Sequence, residues 1–355
     1  MTAVTVRTRS VRGGVVRRRR ARPVVVVLAL AVLLTAVALL VVGDFVVPLP
    51  EVIGAITGRA DWKSQLFVLD IRLPRVLTGL LAGLGFGMSG AIFQSLVRNP
   101  LASPDVIGIT SGASAAAATC IVALGLGGTA VSAGALAGAL VTAVAIYLLS
   151  WRGGLSGQRL VLVGIGATAL LSSLVSYLMT SAAVWDAQQV LIWLTGSLSG
   201  RTWTHATTLA CCLVPPALAA AALARPLNVL CLGDDLARGL GLWVERSRLA
   251  LLLTGVALAA TATAAAGPVA FVALVSAPVA RRLVRDGGPA LAASALVGAL
   301  VTLVSDFVAE HAFTPVELPV GVVTGVVGGP YLLVLLVTAN RAGTSASRRG
   351  SRLLR

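Results

Sequence analysis

Long apolar runs, each ended by a short polar segment, set the pattern of this chain. A helix rises about 1.5 Å per residue and the hydrocarbon core of a bilayer is about 30 Å thick, so one crossing takes roughly 20 apolar residues. The pattern therefore predicts an all-helical polytopic membrane protein. Its ten predicted spans are Val24 to Val42, Val76 to Leu96, Val106 to Gly125, Ala130 to Ser150, Leu160 to Met179, Trp203 to Leu223, Leu249 to Ala266, Val269 to Val284, Ala290 to Val308 and Val320 to Thr338.

One apolar run is too long for a single crossing. From Leu249 to Val284 it has 36 residues, which as one helix would measure about 54 Å and overshoot the hydrocarbon core. Proline removes a backbone donor and disfavours helix in the residue before it. Gly267-Pro268 is therefore the predicted turn between two spans.

Positive charge orients these spans. The formal net charge is +15, but eight arginines lie between Arg7 and Arg22 and five between Arg341 and Arg355, so tails rather than a nucleic-acid surface explain most of it. With both tails inside, the cytoplasmic segments carry 23 Lys and Arg and the outer segments 5, as the positive-inside rule requires. We predict cytoplasmic termini, with basic tails at 1–23 and 339–355 around a ten-span domain at 24–338.

Small residues recur at every fourth position in two spans. Such faces let helices approach closely, and packing within one bundle is the plain explanation. For the last span, an interface with a second subunit is the alternative. The residues are Gly79, Gly83, Gly87 and Ala91 in the second span and Gly321, Gly325 and Gly329 in the last.

The chain offers little catalytic chemistry. The four cysteines show no CxxC spacing, and His205 and His311 have no cysteine or carboxylate placed with them, so we predict no metal site and no catalytic residue. An intramembrane enzyme would need a reactive set inside the spans. An ion-driven secondary transporter would show ionisable residues at mid-membrane depth, whereas here the charges cluster at span ends. Asp306 is the acid most suited to burial, for pathway lining or for helix pairing.

Several motifs between residues 50 and 338 resemble one family. They are RLPR from Arg72, NPLASP from Asn99, GSLSGRTW from Gly196, LNVLCLGDDLARGLG from Leu227, GPVAFVAL from Gly267 and ELPVGVVTGVVGGPY from Glu317. These motifs are similar to those of the FecCD-type permeases, which import iron-siderophore, haem and cobalamin chelates. The segment from Asp186 to Trp203 and the VSDFVAE of the ninth span most closely resemble the ferric-enterobactin branch.

The resemblance implies the membrane subunit of an ATP-binding-cassette importer in a bacterial plasma membrane. The expected partners are a second permease copy or a sister permease, two ATPase subunits, an extracytoplasmic substrate-binding protein, the iron chelate and membrane lipid. No Walker A pattern occurs in the sequence, so ATP and Mg would bind the partner ATPase and no cofactor would bind this chain. The substrate expectation is an iron-siderophore of catecholate type, with haem or cobalamin as the alternative.

Two arginines lie on the predicted outer side, against the positive-inside bias. Arg72 and Arg75 are spaced i, i+3 at the mouth of a span. Snorkelling to lipid headgroups is one explanation. The other, which the resemblance also implies, is docking of an acidic surface on the substrate-binding protein.

On the inner side, the segment from Asn99 to Pro104 cannot continue the second helix, because it contains two prolines. Backbone that is not helical at this depth must face protein or water. It is a structural turn, or a cytoplasmic gate with Asn99 and Leu101 as its residues.

The cytoplasmic loop at 225–248 is the longest inner connection. Asp234 and Asp235 are suited to starting a short helix that ends near Gly239 or Gly241. Its apolar face packs back on the bundle or, as the resemblance implies, seats in a groove of the ATPase. The predicted coupling residues are Leu232, Gly233, Asp234, Asp235, Leu236, Ala237, Leu240 and Gly241.

The fifth span carries the predicted pathway lining, because it combines small and hydroxylated residues. These are Gly164, Ser172, Ser173 and Ser176. Two departures from the family wording affect docking: Ala277-Pro278 stands where many relatives have Pro-His, and Glu310 where many have arginine. A third outer arginine contact is therefore in doubt.

Overall fold

The computed structural model describes residues 11–43, 45–151, 157–285, 288–312 and 317–334, and these residues form helices without a β-strand. A π-helical turn, Leu66–Arg72, leads into α4. The helices are α1 (Val11–Val41), α2 (Leu49–Ile56), α3 (Trp62–Gln65), α4 (Leu73–Val97), α5 (Ile109–Val122), α6 (Thr129–Ser150), α7 (Gly157–Ser181), α8 (Val184–Thr195), α9 (Trp203–Ala222), α10 (Ala224–Leu230), α11 (Asp234–Gly239), α12 (Val244–Ala266), α13 (Val272–Val284), α14 (Leu291–His311) and α15 (Val320–Val334).

The all-helical membrane class is confirmed. Seven helical stretches among the described residues are long and apolar enough to cross a bilayer, and two shorter apolar helices, α5 and α15, accompany them. Each of the ten predicted spans overlaps a described helix. The count of ten crossings and the side of the termini stay predictions. The C-terminal tail and the end of the tenth predicted span lie outside the described residues.

The predicted turn in the long apolar run is present. α12 ends at Ala266 and α13 begins at Val272, so residues 267–271 break the helix. Gly267 has a φ of 76°, and a Cβ there would lie 2.8 Å from the Cα of Gly196. Only glycine meets both requirements, because this φ disfavours a side chain and the neighbouring backbone leaves no room for one.

The small-residue stripe of α4 is confirmed as packing within the bundle. A Cβ added to Gly83 would lie 2.6 Å from the Cα of Ala299, and one at Gly87 would meet the carbonyl of Ser294. The backbones of α4 and α14 are therefore in direct contact, as close glycine faces allow. α4 also packs against α9, α12 and α13, which makes it the central helix of the bundle.

The stripe of α15 divides into two faces. A Cβ at Gly321 would meet the carbonyl of Thr195, so this glycine packs inside the chain. A Cβ at Gly325 or Gly329 would meet no atom within 4 Å. Val326 and Val327 beside them are 70% and 60% exposed. This face of α15 is open in the single chain.

The outer segment before α4 contains structure that the pattern did not predict. α2, α3 and the π-helical turn lie between α1 and α4 in the chain. Val52 and Ala55 of α2 and Val68 of the π-helical turn are buried. This segment covers the outer ends of α1 and α4, where Val47, Leu39 and Val76 share a core with it. It fixes the position of the two outer arginines.

Candidate functional sites

Arg72 is buried in the single chain, and its part in docking stays a prediction. Its side chain is 7% exposed. Its Nη1 donates to the carbonyl of Leu40 at 2.8 Å, and its Nη2 donates to the carbonyl of Phe45. The last carbonyls of a helix have no intrahelical donor. Arg72 supplies one to the end of α1, which gives this buried cation a structural role.

Arg75 is the centre of an ion-pair cluster. Its Nε and Nη2 donate to the two carboxylate oxygens of Asp306, each at 3.0 Å. Its Nη1 lies 3.3 Å from Glu310 Oε2 and 3.7 Å from Glu317 Oε2. Asp306 is 1% exposed, so the two uses left open for it are decided in favour of helix pairing between α4 and α14. The cluster holds three carboxylates and one guanidinium.

The docking role of Arg75 also stays a prediction, and the ion pairs within the chain leave little of its charge free. Its side chain is 13% exposed and already makes a bidentate contact, the strongest geometry that a guanidinium forms with a carboxylate. Glu310, the departure noted in the sequence, is 21% exposed, and Glu317 is 48% exposed. Among the four side chains of this cluster, the exposed charge is therefore acidic.

The cytoplasmic loop forms the short helix expected of it. α11 begins at Asp234, directly after Gly233 with a φ of 114°. Leu232, Leu236 and Leu240 are 59%, 62% and 65% exposed. Together with Trp243, which is 71% exposed, they form an apolar face on the loop predicted to be cytoplasmic, which we call the leucine face. Ala237 is not part of it, because its side chain is fully buried, and its coupling role stays a prediction.

Asp234 ties α11 to the bundle. Arg248 Nη2 donates to Asp234 Oδ1 at 3.0 Å and to Oδ2 at 2.9 Å, and Arg98 Nη2 donates to Oδ1. Burial opposes the charge, but the hydrogen bonds and charge of Arg248 and then of Arg98 hold the pKa of Asp234 below its ordinary value. By contrast, Asp235 is fully exposed and contacts only Arg238, at 3.1 Å, among the described residues.

The partners of Asp234 were missed from the sequence. Arg98 is the last residue before the Asn99 to Pro104 segment and has a φ of 55°. Its Nη2 also donates to the carbonyl of Leu230 at 3.0 Å. Arg98 therefore joins the end of α4, the predicted gate segment and α11. The sequence signal was weak, because 136 residues separate Arg98 from Asp234.

The segment after α4 is a turn, as one of the two open explanations requires. Asn99 Oδ1 accepts a hydrogen bond from the backbone N–H of Leu101 at 2.9 Å. Asn99 is exposed and lines a cavity of about 260 Å³ with Gln94, Arg98 and Arg281. The role of Asn99 and Leu101 as a gate stays a prediction.

The predicted pathway residues of α7 do not share one environment. Ser172, Ser173 and Ser176 are exposed on the single chain. Gly164 is buried, and a Cβ there would lie 2.5 Å from the carbonyl of Ile107. Gly164 therefore packs against the segment before α5, and its place in the lining set stays a prediction. Whether the three serines face a pathway stays a prediction.

The histidines serve local structure. His205 bonds Thr202 at the start of α9, and His311 Nδ1 lies 2.8 Å from the carbonyl of Phe307. In the part of the chain that the structure describes, no three His, Cys, Asp or Glu side chains are grouped closely enough to hold a metal ion.

Comparison with known proteins identifies relatives over most of the chain. Residues 27–338 match the model of the FecCD transport family. The chain is 43% identical over 291 residues to the ferric enterobactin transport system permease protein FepG of Escherichia coli (strain K12), covering 82% of this chain and 88% of that protein. It is 38% identical over 292 residues to the iron(3+)-hydroxamate import system permease protein FhuG of Bacillus subtilis (strain 168), covering 80% and 87%.

More distant relatives extend the range of solutes. The vitamin B12 import system permease protein BtuC of Citrobacter koseri is 35% identical over 290 residues, covering 79% of this chain and 87% of that protein. A solved structure described as an inward-facing conformation of a metal-chelate type ABC transporter has 27% identity and a TM-score of 0.80, covering 89% of this chain and 99% of that one.

Proposed function

The chain belongs to the FecCD transport family, and from that premise we propose that it is the membrane-spanning permease subunit of an ATP-binding-cassette importer. Its solute is an iron-siderophore, carried across the bacterial plasma membrane into the cell. The order of identity supports this choice, because the ferric enterobactin relative is closer than the hydroxamate relative and the vitamin B12 relative. A catecholate chelate is the finer proposal, and cobalamin or haem the alternative.

The leucine face is the observation that carries the proposal. Three leucines and a tryptophan, each more than half exposed, lie on α11 and on the residues flanking it. The position of α11 is fixed by two arginines on Asp234. An exposed apolar patch on a soluble surface indicates a partner, and a short helix with such a face suits a groove. The groove belongs to the ATPase, which supplies the nucleotide chemistry that this chain lacks.

The assembly contains two permeases. The open face of α15 around Gly325 and Gly329 and the exposed serines of α7 are surfaces that a second copy, or a sister permease, would cover. Two ATPases then bind on the cytoplasmic side and a substrate-binding protein on the outer side. The solute passes between the permeases without covalent change, while ATP binding shifts the population between outward-open and inward-open states.

The outer rim docks the substrate-binding protein through charge of the opposite sign to that first expected. Arg72 and Arg75 are committed within the chain, whereas Glu317 is half exposed and Glu310 partly exposed. The lobe of the binding protein above this rim should therefore carry lysine or arginine. Such rim charges act mainly on association rate and on its salt dependence.

Substitution of the leucine face tests the proposal. Burying one leucine is worth about 1.5–3 kcal/mol, so Leu236→Asp should weaken ATPase binding by at least about tenfold and stop uptake. Leu236→Met keeps the apolar area and is the matched control. Uptake of labelled iron chelates is measured in cells, and bound ATPase in the purified complex. Full uptake in cells that lack the partner ATPase would instead support an ion-driven transporter.

A further inference from the structure

A cavity of about 300 Å³, with a mainly apolar lining and several polar groups, lies beside the Arg75 cluster. Ser199, which lines it, donates to Glu317 Oε2 at 3.0 Å. The cavity is enclosed by the outer ends of α5 and α6, by α8, and by the loop that leads into α9. The side chains that matter for its chemistry are Gln189, Trp193, Ser197, Arg201 and His205. No carboxylate is among the residues that line it.

Arg201 brings an uncompensated positive charge to this cavity. Its Nε and Nη2 donate to the carbonyl of Ser197 at 3.2 and 3.0 Å. Within the described ranges, Arg201 forms no ion pair with a carboxylate. Burial lowers the pKa of the Arg201 guanidinium. A partly buried cation with only a neutral acceptor is costly, and an arriving anion would reduce that cost.

The other outer cations do not have this character. Arg72 donates to backbone carbonyls, and Arg75 is paired with carboxylates. Lys63 lies 5.9 Å from the ring centre of Trp62, and Arg59 is exposed and lines none of the cavities described above. Arg201 thus combines a cavity with an unneutralised charge.

Neighbouring groups add donors and an aromatic wall. His205 lines the cavity, and its Nδ1 lies 2.9 Å from Thr202 Oγ1. The exposed amide of Gln189 forms no hydrogen bond with the described residues. Trp193 is partly buried and presents a flat surface to the same space.

We propose that this cavity receives an anionic, oxygen-rich arm of the iron chelate, with Arg201 as the counter-charge and Trp193 packed against the ring of the arm. The inference rests on the proposed importer function. A guanidinium matches paired oxygens in a planar fork, and arginine and tryptophan together suit an aromatic anion. Small-molecule sites usually occupy about 300–1,000 Å³, so a volume at the lower end fits one arm of a bulky chelate.

Direct binding to the purified full-length permease, in the assembled complex in nanodiscs, tests this site. The probes are the anionic complex of iron(III) with 2,3-dihydroxybenzoate and the neutral complex of iron(III) with acetohydroxamate. We expect Arg201→Gln to weaken binding of the anionic probe about tenfold and to leave the neutral probe unchanged. Arg201→Lys should lose less affinity for the anionic probe, because it keeps the positive charge but not the planar pair of donors. Equal melting temperatures exclude misfolding as the cause.

Two results would overturn the inference. One is equal loss for the anionic and neutral probes, or no loss for either. The other is unchanged probe binding with weakened binding of the substrate-binding protein, which would make the cavity a docking pocket. The proposed importer function fails separately, if wild-type complex shows no ATP-dependent uptake of any chelate, and probe binding can still be measured in that case.

Discussion

Replacing Arg75 by methionine removes the single cation on which a buried carboxylate depends. Asp306 is 1% exposed, and both of its oxygens accept from Arg75 at 3.0 Å. No other hydrogen bond to Asp306 is formed by the described residues. Removing one partner of a buried ion pair costs about 3–5 kcal/mol, because the remaining charge is uncompensated. Arg75→Met should therefore destabilise the fold by about that amount.

The reverse substitution should cost less. In Asp306→Asn, Arg75 keeps Glu310 at 3.3 Å and Glu317 at 3.7 Å, so its charge stays partly compensated and the loss should be about 1–3 kcal/mol. Glu317 is 48% exposed, and Glu317→Gln is the surface control, with an expected loss below about 1 kcal/mol. The double substitution Arg75→Met with Asp306→Leu should recover part of the loss, because it leaves no buried charge.

The assay is reversible unfolding in mixed micelles by titration with dodecyl sulfate, followed by tryptophan fluorescence. Wild type, Arg75→Met, a single Asp306→Leu variant and the double variant give a double-mutant cycle between Arg75 and Asp306. A loss in Arg75→Met no larger than that in Glu317→Gln would refute the reasoning. So would a double variant whose loss equals the sum of the two single losses, because the pair would then contribute no coupling.

Three further predictions concern packing, coupling and docking. Gly87→Leu should destabilise the fold by at least about 1–3 kcal/mol, because the larger side chain overpacks against α14. Gly329→Leu, where the side chain enters open space, should not. Thermal unfolding measures both, and equal losses of stability would contradict the close contact between α4 and α14. Asp234→Asn should retain ATPase binding but lower the amount of chelate imported per ATP hydrolysed. Asp235→Asn is the control. An unchanged ratio would contradict a coupling role for the contact between Asp234 and Arg98. The pKa of Asp234 is depressed, so its ion pairs stabilise α11 above the unfolded pKa and are lost only in acid. The amount of chelate imported per ATP hydrolysed should therefore not change between about pH 5 and pH 8. Glu310→Gln combined with Glu317→Gln should slow association of the substrate-binding protein at low salt, measured by surface plasmon resonance, and faster association would indicate an acidic partner.

The hydrophobic pattern was sufficient for the membrane class and for the turn at Gly267, because both follow from the length of apolar runs and from local backbone chemistry. The α4 stripe was also readable, since small faces at fourfold spacing have few uses other than close packing. The short α11 helix followed from local signals, namely Gly233 with the aspartates after it.

Partners distant in sequence could not be read in the same way. Arg72 was placed near the end of a span, but its acceptors are the backbone carbonyls of Leu40 and Phe45, about 30 residues earlier in the chain. Arg75 and Asp306 are separated by 231 residues. Both charges were noted, yet nothing in one sequence says that they meet. Gly164 was assigned to a pathway lining because it is small. A small residue suits close packing equally well, and the sequence alone does not distinguish the two.

Photo-crosslinking from position 236 tests the central claim most directly. A photoreactive amino acid replaces Leu236 in the assembled complex, and one at the exposed Val141 on α6 serves as the control. If the leucine face seats in the ATPase, position 236 should yield a covalent adduct with that subunit and position 141 should not. An adduct of position 236 with the substrate-binding protein, or with no ATPase in an intact complex, would contradict this mechanism.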